Sequence, residues 1–224
     1  MEHLENKGIT LLSPVITGTK PLTYQHVLIT GLGRGGTTAL AQVFQGLGFV
    51  FEQADEFMEN KDYRRLLLSG DYSTLIAQLQ AWQSSECRHA WKDPKLSSPV
   101  HHHAFYSALP DNIVLVAVLR DLVATTSRFI SVDQADFFET LMRYSHIQKK
   151  LLQLVELQKS QRPVLLVSYE KLLLNSHSVV RQLAEVFNID DAALINQATA
   201  LVQVSPDHYR MACQQQINCQ TAKR

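Results

Sequence analysis

Ile113-Val114-Leu115-Val116-Ala117-Val118-Leu119 is seven apolar residues with no polar residue between them. A strand with one wet face alternates apolar and polar side chains, so an unbroken run of this length is covered on both faces, as in a parallel sheet between helices. Two further runs fit the same reading: Val27-Leu28-Ile29, closed by Thr30-Gly31, and Pro163-Val164-Leu165-Leu166-Val167, closed by Ser168-Tyr169. Between and after these runs, apolar residues recur at helical spacing over 37–48, about 122–130, 135–158, 176–187 and 190–202. The pattern predicts one α/β domain over 26–224, a parallel β-sheet with helices on both faces. Residues 1–25, with Pro14, Gly18 and Pro21 and little periodicity, read as an irregular lead-in. In such sheets ligands bind beyond the carboxyl ends of the strands. Gly31–Thr38, Lys92–Lys95, Arg120–Arg128 and Ser168–Tyr169 all fall there.

The first strand runs into Gly31-Leu32-Gly33-Arg34-Gly35-Gly36-Thr37-Thr38. This has the length of a phosphate-binding P-loop, whose pattern G-x-x-x-x-G-K-[ST] offers backbone N–H groups to phosphates, a lysine to the terminal phosphates and a hydroxyl to Mg²⁺. Thr37 stands where the lysine belongs, and the positive charge lies upstream at Arg34. The alternative is an ordinary strand-to-helix turn in which Thr37 caps the helix. A magnesium-dependent nucleotide hydrolase usually ends a second strand in a metal-holding aspartate. Here the 113–119 strand ends in Arg120, which favours a phosphate over a divalent metal, although Asp121 beside it leaves a metal reading open.

Composition narrows the partners. Lys+Arg and Asp+Glu are both 21 in 224 residues, so no global basic field gathers nucleic acid or an anionic membrane. Any anion site is local. Cys87, Cys213 and Cys219 are widely spaced and odd in number, which argues against a disulfide scaffold or zinc site and for a reducing compartment. The polar, acidic N-terminus lacks the features of a signal peptide, and no apolar run approaches the ~20 residues of a membrane span. The expectation is a cytoplasmic, soluble protein.

The four polar clusters together resemble the sulfotransferases that use 3′-phosphoadenosine 5′-phosphosulfate (PAPS). Their first signature, an apolar strand and a loop of the form G-x-x-R-S-G-T-T that binds the 5′-phosphosulfate, is similar to 31–38 except that Gly35 replaces serine. Their second is a strand ending in arginine with a serine downstream, both on the 3′-phosphate; Arg120 and Ser127 match. The family serine falls eight residues after the arginine, whereas Ser127 is seven after it and Arg128 is the eighth. The family also usually has proline where this chain has Leu122. Trp91-Lys92-Asp93-Pro94-Lys95 resembles the Lys-Asp-Pro segment of bacterial members, and Tyr169-Glu170-Lys171-Leu172 the segment whose tyrosine approaches the nucleotide. The matches run in family order from residue 27 to about 187.

The resemblance implies a P-loop-type fold and transfer of a sulfuryl group to a hydroxyl or amine of a small molecule or glycan. It implies donor binding by Arg34, Gly35, Gly36, Thr37, Thr38, Arg120, Ser127 or Arg128, and Tyr169, and no metal. Arg34, with Lys92 or Lys95 as a second cation, would stabilise charge on the transferring group. The family's carboxylate base lies shortly after the first helix, where this chain has Asp55, Glu56 and Glu59; Glu56 is the first choice and Glu59 the second. The competing reading of these acids is a solvated helix face. His101-His102-His103 reads as surface or cap residues, since adjacent histidines point apart. Trp82, Trp91 and the Phe137-Phe138 pair read as core, and Arg210 is a loose candidate for the 3′-phosphate. Two other functions remain open at this stage: an atypical P-loop nucleotide or small-molecule kinase, and a non-catalytic nucleotide or glycan binder.

Overall fold

The computed structural model describes residues 7–12, 25–98, 104–133 and 135–202. Five strands form one sheet: β1 (Ile9–Leu12), β2 (His26–Gly31), β3 (Ala90–Lys92), β4 (Ile113–Leu119) and β5 (Val164–Ser168), in the order β1-β5-β4-β2-β3. The helices are α1 (Thr37–Gly46), α2 (Lys61–Ser69), α3 (Tyr72–Ala81), α4 (Leu122–Asp133), α5 (Phe137–Gln158), α6 (Tyr169–Leu174), α7 (Ser176–Val186) and α8 (Ala192–Leu201).

The unbroken apolar runs are buried on both sides, as expected. Val114, Val116 and Val118 of β4 pack with Leu40 and Phe44 of α1, Leu183 of α7 and Ala198 of α8. Ile113, Leu115 and Ala117 pack the other way, with Leu67 of α2, Leu75 of α3 and Leu151 and Leu154 of α5. Two-residue periodicity thus sends successive side chains of one strand into two separate cores.

The sheet departs from the expectation of a purely parallel arrangement at one edge. β2, β3, β4 and β5 are mutually parallel, but β1 pairs antiparallel with β5, Ile9 opposite Val167 and Leu12 opposite Val164. The irregular lead-in assigned to 1–25 therefore contains a strand. Its Ile9-Thr10-Leu11-Leu12 is too short to show a period, and it is only partly buried, so its place is decided by the open edge of β5. The apolar Phe49-Val50-Phe51 adds no further strand and makes a single bridge, Val50 to His89. Helices α4 and α5 fall within a few residues of the expected spans. The Phe137-Phe138 pair is not core: Phe137 is only partly buried and Phe138 exposed, because the start of α5 turns them away from both clusters. Trp82 and Trp91 are buried as expected. The 101–103 histidines, Arg210, Cys213 and Cys219 lie outside the described residues.

No helix among the described residues is long and apolar enough to cross a membrane.

Candidate functional site

The parallel strands deliver their carboxyl ends to one side, and a cavity of about 420 Å³ opens there. The β2–α1 loop contributes Gly33, Arg34, Gly36, Thr37 and Thr38; β3 and the turn after it contribute Lys92 and Pro94. Arg120 and Arg128 enter from the end of β4 and from α4, and Phe57 and Glu59 from the loop before α2. Four cationic side chains and one carboxylate line the space, which sets the sign of what it can hold.

The loop conformation follows from its glycines and one strained residue. Gly36 has φ 93°, and a Cβ there would lie 2.1 Å from the Tyr169 ring, so Tyr169 packs directly on the loop. Gly35 donates its N–H to Leu32 O at 2.9 Å, and a Cβ on it would meet that same oxygen at 2.7 Å. A serine at this position would force the turn open, which is a physical reason for glycine in its place. Arg34 sits at φ 63°, a left-handed conformation that costs a non-glycine residue on the order of 1–3 kcal/mol. Its carbonyl accepts a 2.7 Å hydrogen bond from Arg120 Nη1, and the Arg120 guanidinium stacks 4.7 Å from the Tyr169 ring centroid. The loop, the end of β4 and the start of α6 are thereby tied together. Tyr144 of α5 reaches the same region, its hydroxyl 3.9 Å from a Cβ placed on Gly33, and burial pushes its phenol up.

Glu59 lies in a loop, not on the helix face that its spacing allowed. Asp55 organises this loop by accepting the N–H groups of Phe57 at 2.9 Å and Glu59 at 3.0 Å. Burial opposes its ionisation, but those N–H groups together with the charges of Lys61 and Lys92 hold the Asp55 carboxyl below its ordinary range. Glu59 Oε1 is 2.6 Å from Lys92 Nζ, and Glu59 Oε2 is 2.6 Å from Arg64 Nη2. Lys92 also donates to Phe57 O at 2.9 Å, and Thr38 Oγ1 to the same oxygen at 3.4 Å. Arg64 grips Asp93 with two hydrogen bonds of 2.7 and 2.9 Å. That grip holds the guanidinium above its ordinary value, against the burial that would lower it.

Of the residues expected at the site, Arg34, Gly36, Thr37, Thr38, Glu59, Lys92, Arg120 and Arg128 are brought together around the cavity. Gly35 and Tyr169 support it from behind. Glu56 is exposed and does not line it, and neither do Ser127 or Lys95. Asp121 is a helix cap: its Oδ1 accepts the Ala124 N–H at 2.8 Å, and its own N–H donates to Glu170 at 2.9 Å. Arg64 and the carboxylate of Asp93 escaped the sequence reading. Asp93 belongs to the quoted Lys-Asp-Pro segment and so carried a signal, whereas Arg64 is one of two adjacent arginines on an amphipathic helix with nothing to single it out.

A second cavity, of about 400 Å³, is lined by Glu52, Asn60, Tyr63, Trp82 and His89 among others. Here Glu52 is already engaged: Oε2 accepts from Tyr63 Oη at 2.8 Å, and Oε1 from Trp82 Nε1 at 3.2 Å, with His89 Nδ1 at 2.9 Å.

No family model and no curated protein matches the sequence. Solved structures do. The chain superposes on the sulfotransferase domain of the Synechococcus PCC 7002 olefin synthase with a TM-score of 0.54 at 17% identity, over 77% of this chain and 76% of that one. It superposes on a sulfotransferase from Mycobacterium avium with a TM-score of 0.54 at 12% identity, over 89% and 77%. The fold is therefore the α/β fold of the sulfotransferases.

Proposed function

We propose that this protein is a PAPS-dependent sulfotransferase acting on a hydroxyl or amine of a small molecule or glycan. The observation that carries the reading is the lining of the strand-end cavity: four cations against one carboxylate, beside a loop whose lysine position holds threonine. The donor set suits a phosphosulfate nucleotide. Loop N–H groups, Arg34, Thr37 and Thr38 would hold its 5′ end at the N-terminus of α1, where the helix dipole favours an anion. Arg120 and Arg128 would hold the 3′-phosphate; Arg128, which faces the cavity, suits this role better than Ser127. Tyr169 would fix the angle of the Arg120 guanidinium through their stacking contact.

The donor supplies an activated sulfuryl group. In the transfer a bond forms from the acceptor oxygen or nitrogen to sulfur, the bond from sulfur to the bridging phosphate oxygen breaks, and adenosine 3′,5′-bisphosphate leaves as an anion. Lys92 would stabilise the charge on the oxygens of the sulfuryl group in transfer. Glu59 would receive the acceptor's proton, since it lines the cavity and the exposed Glu56 does not.

Thermal-shift measurement against adenosine 3′,5′-bisphosphate, ATP with Mg²⁺ and GTP with Mg²⁺ tests the reading. Stabilisation by the bisphosphate with a chelator present is expected. Stabilisation by a nucleoside triphosphate that vanishes on chelation would replace it with a kinase.

A further inference from the structure

The ion pairs beside the cavity form an ordered chain. Lys92 Nζ, on a side chain only 2% exposed, meets Glu59 Oε1 at 2.6 Å; Glu59 Oε2 meets Arg64 at 2.6 Å. Arg64 meets Asp93 through two hydrogen bonds of 2.7 and 2.9 Å. Asp93 is fully buried and its Oδ1 also accepts the Lys95 N–H at 2.8 Å. Two cations and two carboxylates alternate, and only the Lys92–Glu59 end faces the cavity.

The two ends differ in freedom. A guanidinium locked bidentately on a buried carboxylate has one geometry, whereas an ammonium on a four-carbon stem can exchange one acceptor for another. Glu59 is thus shared between a cation that can leave and one that cannot.

We propose that Lys92 exchanges Glu59 for the phosphosulfate anion, and that Arg64, anchored on Asp93, is the positioning residue that makes this exchange possible by holding Glu59 back. The inference rests on the donor reading of the cavity. Arg64 satisfies part of the Glu59 charge, so Lys92 can turn to an incoming anion without leaving a largely buried carboxylate uncompensated. After the exchange Oε2 stays oriented by Arg64 and Oε1 is open to a proton from the acceptor. The carboxylate becomes a usable base only once the donor is in place.

Calorimetry without acceptor, using PAPS and adenosine 3′,5′-bisphosphate as the two ligands, tests this on the full chain. In Arg64→Gln, Glu59 leans wholly on Lys92, and PAPS affinity is expected to fall by roughly three- to tenfold, while bisphosphate affinity changes by less than about twofold. In Glu59→Gln the competing charge is gone and PAPS affinity rises relative to bisphosphate affinity. The double variant follows Glu59→Gln, because the Arg64 effect on the donor runs through Glu59, and Arg64→Lys recovers part of the loss. An Arg64→Gln variant whose ratio of the two affinities equals that of the wild type overturns the proposal, including the case in which a folding defect lowers both together. So does a loss that persists in full in the double variant. Wild-type protein that binds neither ligand defeats the donor reading itself, a result distinct from an unchanged ratio.

Discussion

The loop between α1 and α2 contributes to two cavities of nearly equal size, about 420 and 400 Å³, and they are opposite in character. Phe57 and Glu59 face the first, among Arg34, Lys92, Arg120 and Arg128. Glu52 and Asn60 face the second, where Tyr63, Trp82 and His89 surround a carboxylate whose two oxygens are already occupied. The comparison teaches that volume does not select a binding site. What distinguishes them is the charge their linings leave over, and of the two the strand-end cavity alone has an excess of positive charge. The Glu52 cluster reads as structural: it ties the loop to α2 and to the segment entering β3.

Disruption of the β2–α1 loop is expected to have the largest effect. In Gly36→Ala the new Cβ would lie 2.1 Å from the Tyr169 ring at φ 93°, so strain and overpacking together cost about 3 kcal/mol or more and bisphosphate binding is lost. Chemical denaturation and calorimetry read both. Next, Arg34→Ala and Arg120→Ala each weaken bisphosphate binding by roughly 1.5–3 kcal/mol, the scale of a hydrogen bond to a charged group. Unchanged affinity in both would remove the contrast between the cavities.

The second cavity answers in stability instead. Glu52→Ala strands the Tyr63 hydroxyl and the Trp82 N–H, costing about 2 kcal/mol of unfolding free energy with bisphosphate affinity unaltered. A loss of affinity without a loss of stability would reverse the assignment of the two cavities. The smallest effect is one of pH. Burial, then the neighbouring His89, holds the His26 imidazole down to about 4 from its ordinary 6.5, against a backbone hydrogen bond at Trp82 that raises it. The unfolded chain therefore takes up this proton first, and the contribution is complete above about pH 6.5 and lost as pH falls toward 4. Between pH 7 and pH 5.5 this amounts to about 1 kcal/mol, and His26→Gln should flatten that part of a urea-denaturation series.

Much of the strand-end site was legible because its pieces are local. Gly31–Thr38, Lys92 and Arg120 each follow an apolar run, and the rule that ligands gather at strand ends places them together without knowledge of any contact. The choice between Glu56 and Glu59 was not legible. Both sit in one acidic stretch, and only the Asp55-capped turn decides that Glu59 faces Lys92 while Glu56 faces solvent. Ser127 and Arg128 pose the same problem on α4, where one residue of helical rotation separates a cavity wall from a neighbouring position.

Sequence alone determined the layered α/β architecture, the glycine turn after β2 and the positive charge gathered at the strand ends. Each follows from a short-range pattern: unbroken apolar runs, glycines in a turn, and an arginine at the end of a strand. Only tertiary structure decided the antiparallel pairing of β1, the chain of ion pairs from Lys92 to Asp93 and the identity of the carboxylate at the cavity. Those depend on residues brought together from distant segments, Arg64 with Asp93 and Ile9 with Val167, and no local period records such meetings.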